Sequence, residues 1–255
     1  MLQLVTCEFK KLKKSNILWI IIAGAFFSAF VTFMQFKMAL SIDDQVSDFE
    51  EFYLSAIWNN FCMSFPFVIT IMGGMLCNQE YSSGTLKSII TIPVSIKRLY
   101  IAKIIITGVL VLALSVINYF FVIAGANLLH LQGIESFLIL KAFLQILGMG
   151  IFIFTAVLPL IIWGFRKING YYPMIVIAFM YGFCGSFLLP RGVGDFYPIT
   201  AGLRIVKYAD LPEGSTLAAV TTVAMMVLIS ILMIWLVPYS YESATQNKNV
   251  KKQHN

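Results

Sequence analysis

Charge is scarce in this chain. Asp, Glu, Lys and Arg make up 12% of 255 residues, half the share of about 25% found in soluble domains. None of them, and no His, stands in the middle of the six long apolar runs that fill most of the sequence. Ion-driven carriers and intramembrane hydrolases need ionisable groups at depth, so both classes lose their chemical basis. Histidine occurs only at His130 and His254, each standing alone, so metal binding and histidine catalysis have little to build on. Cys7, Cys62, Cys77 and Cys184 fall singly, without CxxC spacing. No disulfide or zinc site is expected, and the four read as small apolar packing residues. Proline is also sparse, and Pro66 and Pro159 are expected to kink the runs that contain them.

What is present is hydrophobicity: 59% of residues are apolar and the mean hydropathy is +0.85. The runs cover Ile17–Phe36, Phe61–Cys77, Ile104–Ala124, Ala142–Gly164, Tyr171–Leu189 and Leu217–Val237. Each approaches the roughly 20 residues that cross a hydrocarbon core at about 1.5 Å per residue. Backbone in lipid must satisfy its own hydrogen bonds, so runs without alternation mean helices. The fold class is therefore all-α: a polytopic integral membrane protein of six transmembrane helices, residues 1–255 forming one unit. The connections leave no room for a soluble catalytic or nucleotide-binding module. Ile17–Phe36 is too long for a signal-peptide core and lacks a cleavage pattern, so it is expected to be retained.

Cations alternate between the connections. Thirteen of the 18 Lys and Arg flank the first run, the second-to-third and fourth-to-fifth connections and the C-terminus. Nine of the 12 acids lie on the opposite side. By the positive-inside rule both termini are cytoplasmic. Leu2, Val5, Phe9 and Leu12 recur at helical spacing with Glu8, Lys10, Lys11, Lys13 and Lys14 on the other side, which predicts a basic interfacial helix at the inner surface. The first outer connection, Lys37–Asn60, carries Asp43, Asp44, Asp48, Glu50 and Glu51, an acidic rim suited to a cationic ligand, with Phe52, Tyr53 and Trp58 as interfacial aromatics.

Inside the runs, Gly24/Ser28 and Ala25/Ala29 form small-xxx-small pairs that permit close helix approach, and Ser115, Asn118, Gln145 and Thr155 are expected to bond between helices. In the last outer connection Pro198 opens a short interfacial helix with Ile199, Leu203 and Val206 on one side and Arg204 and Lys207 exposed.

The inner connection after the second run is the most informative. Ser82 or Ser83 can cap a short helix in which Leu86, Ile89 and Ile90 make an apolar stripe, and Pro93 ends it. Such a helix lies on the bilayer or docks in the groove of a cytoplasmic partner.

The sequence Glu80-x-x-x-Gly84-Thr85-Leu86-Lys87, followed by Pro93-Val94-Ser95 and Lys103, resembles the inner loop of type-2 ABC exporter permeases, and more closely the lantibiotic immunity and bacitracin resistance branch. Glu8-Phe9-Lys10-Lys11-Leu12-Lys13, six spans and the chain length extend the resemblance over the whole sequence. It implies a short cytoplasmic coupling helix between spans two and three, with Glu80, Gly84, Thr85, Leu86, Lys87, Ile89, Ile90 and Pro93 at or beside an ATPase contact. It also implies a separate cytoplasmic ABC ATPase dimer, which would hold ATP and Mg, since no cofactor is expected on this chain. A second permease chain, the bacterial plasma membrane and an amphipathic peptide substrate complete the expectation. The alternatives are export of another drug, a lipid or a polysaccharide precursor, and a non-transporting sensor or receptor subunit.

Overall fold

The computed structural model describes residues 2–12, 15–42, 48–82, 96–164, 171–208, 211 and 213–253, and omits the side chains of residues 2–3, 42, 77, 79–82, 96–97, 171 and 237–253. The described chain is helical: α1 (Leu2–Leu12), α2 (Ile17–Ile42), α3 (Phe49–Asn59), a π-helical turn (Asn60–Ser64), α4 (Phe65–Ser82), α5 (Ile96–Leu128), α6 (Ser136–Gly164), α7 (Tyr171–Leu188), α8 (Pro198–Ile205) and α9 (Thr216–Gln253). Among the described residues six segments are long and apolar enough to cross a membrane: Ile17–Ser41, Phe49–Leu76, Arg98–Leu128, Ser136–Gly164, Tyr172–Arg191 and Thr216–Leu236. Successive spans run antiparallel. One end of the bundle carries α1, the end of α4 and the start of α5, and the opposite end carries α8.

The second span begins at Phe49 rather than Phe61, because α3, the π turn and α4 continue one another. Phe49, Phe52, Tyr53, Ala56 and Ile57 repeat at i, i+3, i+4, i+7 and i+8 and are all fully buried. Phe52 and Tyr53 are therefore core residues, not interfacial anchors. The acids Glu50 and Glu51 sit in the first turn of α3, where an N-terminus favours negative charge. This second span is the hub of the bundle, with 61% of its residues buried, whereas Thr216–Leu236 at the periphery is 11% buried.

Small residues set the closest approaches. A Cβ on Gly24 would lie 2.6 Å from Val68, and Ala25, Ser28 and Ala29 are buried beside it, so the small-residue pairs of α2 do bring helices together. Pro66 has no N–H for the Cys62 carbonyl, and the Phe65 N–H instead reaches back to the Asn60 carbonyl, which produces the π turn. Gly182 on α7 fills the gap: a Cβ there would be 2.7 Å from the Cys62 carbonyl oxygen and 2.9 Å from that of Phe61.

α8, expected to expose one side, is packed into the fold instead: Pro198 to Leu203 are all buried, and Gly202 is pressed against Phe152 of α6. Arg204 is not exposed, because Asp195 neutralises it within the fold (side-chain exposures 15% and 7%). In α1 the buried face is Glu8 and Leu12 with Val5 packed behind, while Phe9 is 40% exposed. Cys62 is buried as expected, but Cys7 and Cys184 are exposed.

Candidate functional site

At the α1 end, local sequence explains the helices and a distant contact explains their register. Glu8 is 2% exposed and Lys103 1%. The Lys103 ammonium donates to Glu8 Oε2 at 3.4 Å and to the Leu76 carbonyl of α4, while Lys11 pairs with Glu8 Oε1. One buried cation thus joins α1, α4 and α5 on either side of the connection 83–95. Glu80 lies in the last turn of α4, its side chain outside the described residues. Gly84, Thr85, Leu86, Lys87, Ile89, Ile90 and Pro93, and with them the expected coupling helix, also lie outside the described residues.

Through the bundle runs a polar seam on one face of α2. Ser64 donates to the Gly24 carbonyl at 3.1 Å. Asn118 of α5 donates to the Ala25 carbonyl at 2.9 Å and to Ser28 Oγ at 2.8 Å, and its own Oδ1 accepts from Asn60 at 2.7 Å. Asn59 then donates to Thr32 Oγ1 and Gln35 Oε1, both at 2.9 Å. Residues 24, 25, 28, 32 and 35 fall on one helical stripe, so the seam holds span one to spans two and three along its length.

The seam opens into a cleft of about 500 Å³ towards the α8 end. Gln35, Ser55, Asn59 and Ser186 supply amide and hydroxyl groups, and Trp58, Phe183, Phe187 and Tyr208 supply aromatic surface, with Cys62 and Met63 at the π turn. Among the described residues no charged side chain lines it. Such a lining can hold apolar groups on rings and hydrogen-bond a polar edge at the same time. The π turn aims the lining, because the extra residue per turn lets Asn59 and Cys62 face the cleft while Asn60 faces Asn118.

The segment around α8 brings Tyr208 to the cleft. Asp195 is 5% exposed and binds Arg204, while its Oδ2 accepts from the Ser215 N–H at 2.8 Å and its carbonyl from Thr222 at 2.9 Å. Gln145 of α6 donates to the Val206 and Lys207 carbonyls at 3.0 and 2.9 Å, capping the end of α8. Tyr197 donates to the Tyr181 carbonyl at 2.5 Å, and burial pushes its phenol up, keeping it a donor. Lys207 adopts a left-handed conformation (φ 55°) at this cap.

Of the acids expected at a rim, Asp43 and Asp44 lie outside the described residues, and Asp48 and Glu51 are exposed. Glu50 is held by Lys141 at 2.7 Å. The Glu8–Lys103 and Asp195–Arg204 pairs and the cleft itself left no local signal in the sequence. The repeat of Phe49, Phe52, Tyr53, Ala56 and Ile57 was the available clue that span two starts early. Among the described residues no group of three His, Cys, Asp or Glu is arranged to hold a metal ion.

A family model described as ABC-2 family transporter protein matches residues 4–185. No curated protein and no solved structure gives a significant match. The matched region takes in α1, the first four spans, the connection 83–95 and nearly all of α7. This chain, with six candidate spans among its described residues and a buried ion pair beside the connection 83–95, belongs to the ABC-2 transporter family, as a multi-pass permease subunit that works with an ABC ATPase.

Proposed function

We propose that this permease exports an amphipathic antimicrobial peptide, of the lantibiotic or bacitracin kind, out of the bacterial plasma membrane as an immunity or resistance device. The observation that carries this reading is the cleft, with aromatic surface on one part, amide and hydroxyl groups on another, and no charge among its described lining residues. That lining suits a molecule with an apolar face and a hydrogen-bonding backbone better than a free ion or a small charged metabolite. Both termini lie in the cytoplasm, as the excess of Lys and Arg at the α1 end requires.

Two copies, or this chain and a similar one, form the path. The partner ATPase pair holds ATP and Mg, and this chain binds no cofactor. Closure of that pair moves the connection through Glu80, Gly84, Thr85, Leu86, Lys87, Ile89, Ile90 and Pro93, and spans two and three carry the motion to the cleft. Outside, Asp43, Asp44, Asp48 and Glu51 attract a cationic peptide, while Glu50 is engaged by Lys141.

The test uses the complete transporter in proteoliposomes with nisin or bacitracin as the probe. Trp58→Ala with Phe187→Ala removes two aromatic contacts of about 0.5–1.5 kcal/mol each, together about 30-fold in affinity at the middle of that range. The peptide concentration giving half-maximal ATPase stimulation rises by about that factor while basal hydrolysis is kept. An unchanged half-maximal concentration would remove the cleft from the path. Changing Asp43, Asp44, Asp48 and Glu51 to Asn or Gln weakens protection of cells; full protection would eliminate the rim.

A further inference from the structure

Glu8 and Lys103 are 95 positions apart in sequence and are both almost completely buried. We infer that this ion pair is a positioning clamp: it makes α1 and the inner ends of α4 and α5 move as one body when the permease is driven. The inference rests on the reading of residues 83–95 as the connection that receives the ATPase stroke.

Stability is a poor explanation for such a pair. Each buried ion gives up its hydration, and an apolar pair of similar volume often serves stability equally well. What an apolar pair does not provide is direction. The Lys103 ammonium reaches a carboxylate on α1 and the Leu76 carbonyl on α4 from a single point on α5. The Lys103 carbonyl in turn accepts from Thr107, which firms its own turn of α5.

Position gives the pair its use. Leu76 lies about 9 Å of helix axis from the end of α4, and Lys103 about 10 Å from the start of α5. The clamp therefore sits at the root of the connection 83–95. A push on that connection meets two helix ends; unclamped, they can splay and spend the displacement locally. Clamped, the displacement passes along both helices, and α1 follows and takes span one with it.

Two measurements on the complete transporter with its ATPase decide the matter. The double variant Glu8→Leu/Lys103→Met removes both buried charges together, so neither is stranded. Its thermal midpoint and basal ATPase rate stay near those of the parent, but nisin expelled per ATP hydrolysed falls about tenfold. A merely structural pair gives a double variant that expels peptide with parental efficiency, and that result overturns the clamp. The second measurement keeps the pair intact. With Cys62, Cys77 and Cys184 replaced by Ser, spin labels on native Cys7 of α1 and on Arg98→Cys of α5 report their separation. That distance stays constant to about 2 Å between the nucleotide-free and ATP-bound states, while ATP still alters the connection. A nucleotide-dependent change in the separation shows α1 moving independently and refutes the proposal even if the double variant fails to fold. If the parent complex itself shows no ATP-dependent peptide expulsion, the export reading has failed; if the parent expels peptide and the double variant does so equally well, only the clamp has.

Discussion

Replacing Asn118 by Ala should loosen three spans at once. Its side chain makes three bonds: to the Ala25 carbonyl, to Ser28 and from Asn60. The residue is fully buried, so no water replaces them. Hydrogen bonds between transmembrane helices average about 0.6 kcal/mol and reach about 1.7. Three of them give about 2 kcal/mol, and the small cavity raises the total to about 2–3 kcal/mol. That corresponds to a drop of about 30- to 150-fold in the folded-to-unfolded ratio. Reversible unfolding of the purified permease in mixed micelles, titrated with sodium dodecyl sulfate and followed by tryptophan fluorescence, measures it. Ser115→Ala is the control, because the Ser115 hydroxyl bonds the Val111 carbonyl of its own helix and should cost under about 0.5 kcal/mol. A loss for Asn118→Ala no larger than for Ser115→Ala would refute the seam as an interhelical tie.

Three further outcomes follow from the same geometry. Gly182→Val puts a side chain against the backbone carbonyls of Phe61 and Cys62 and should cost about 2–3 kcal/mol in the same titration; full tolerance would mean that α7 does not seat on the π turn. Asp195→Asn removes the carboxylate that pairs with the largely buried Arg204, should cost about 2 kcal/mol, and should speed maleimide labelling of buried Cys62 as the segment carrying Tyr208 loosens at the cleft; unaltered stability and labelling would dispose of a role for this ion pair. Lys207→Gly removes a side chain from a left-handed position and should stabilise by about 1 kcal/mol, so a loss of stability would show that Lys207 makes a contact worth more than its strain.

The spans were legible because lipid leaves a chain few choices: long apolar runs, small-residue pairs in α2, and isolated amides at Asn118 and Gln145 that had to find partners across helices, whereas the short hydroxyls of Ser115 and Thr155 bond carbonyls of their own helices instead. Span two was read short because Asp48, Glu50 and Glu51 depress the hydropathy where the aromatic stripe already repeats at helical spacing. Glu8 and Arg204 were assigned to polar faces because a charge is assumed to seek water unless its partner is known. Their partners, Lys103 and Asp195, carry no marker of that role, and for Glu8 the partner is 95 positions distant. The cleft was equally invisible, since it is assembled from α2, α3, the π turn, α7 and Tyr208. Pairing across the fold, rather than any local propensity, decides all three.

The most direct test of the central claim is purification of this permease from its native membranes in mild detergent, with the co-purifying ATPase quantified for the parent and for Leu86→Asp. The account predicts a stoichiometric ABC ATPase with the parent and its loss when a charge enters the apolar stripe of Leu86, Ile89 and Ile90, with the permease still inserted. Undiminished ATPase on Leu86→Asp would contradict the assignment of the 80–93 segment as the site through which ATP drives this permease.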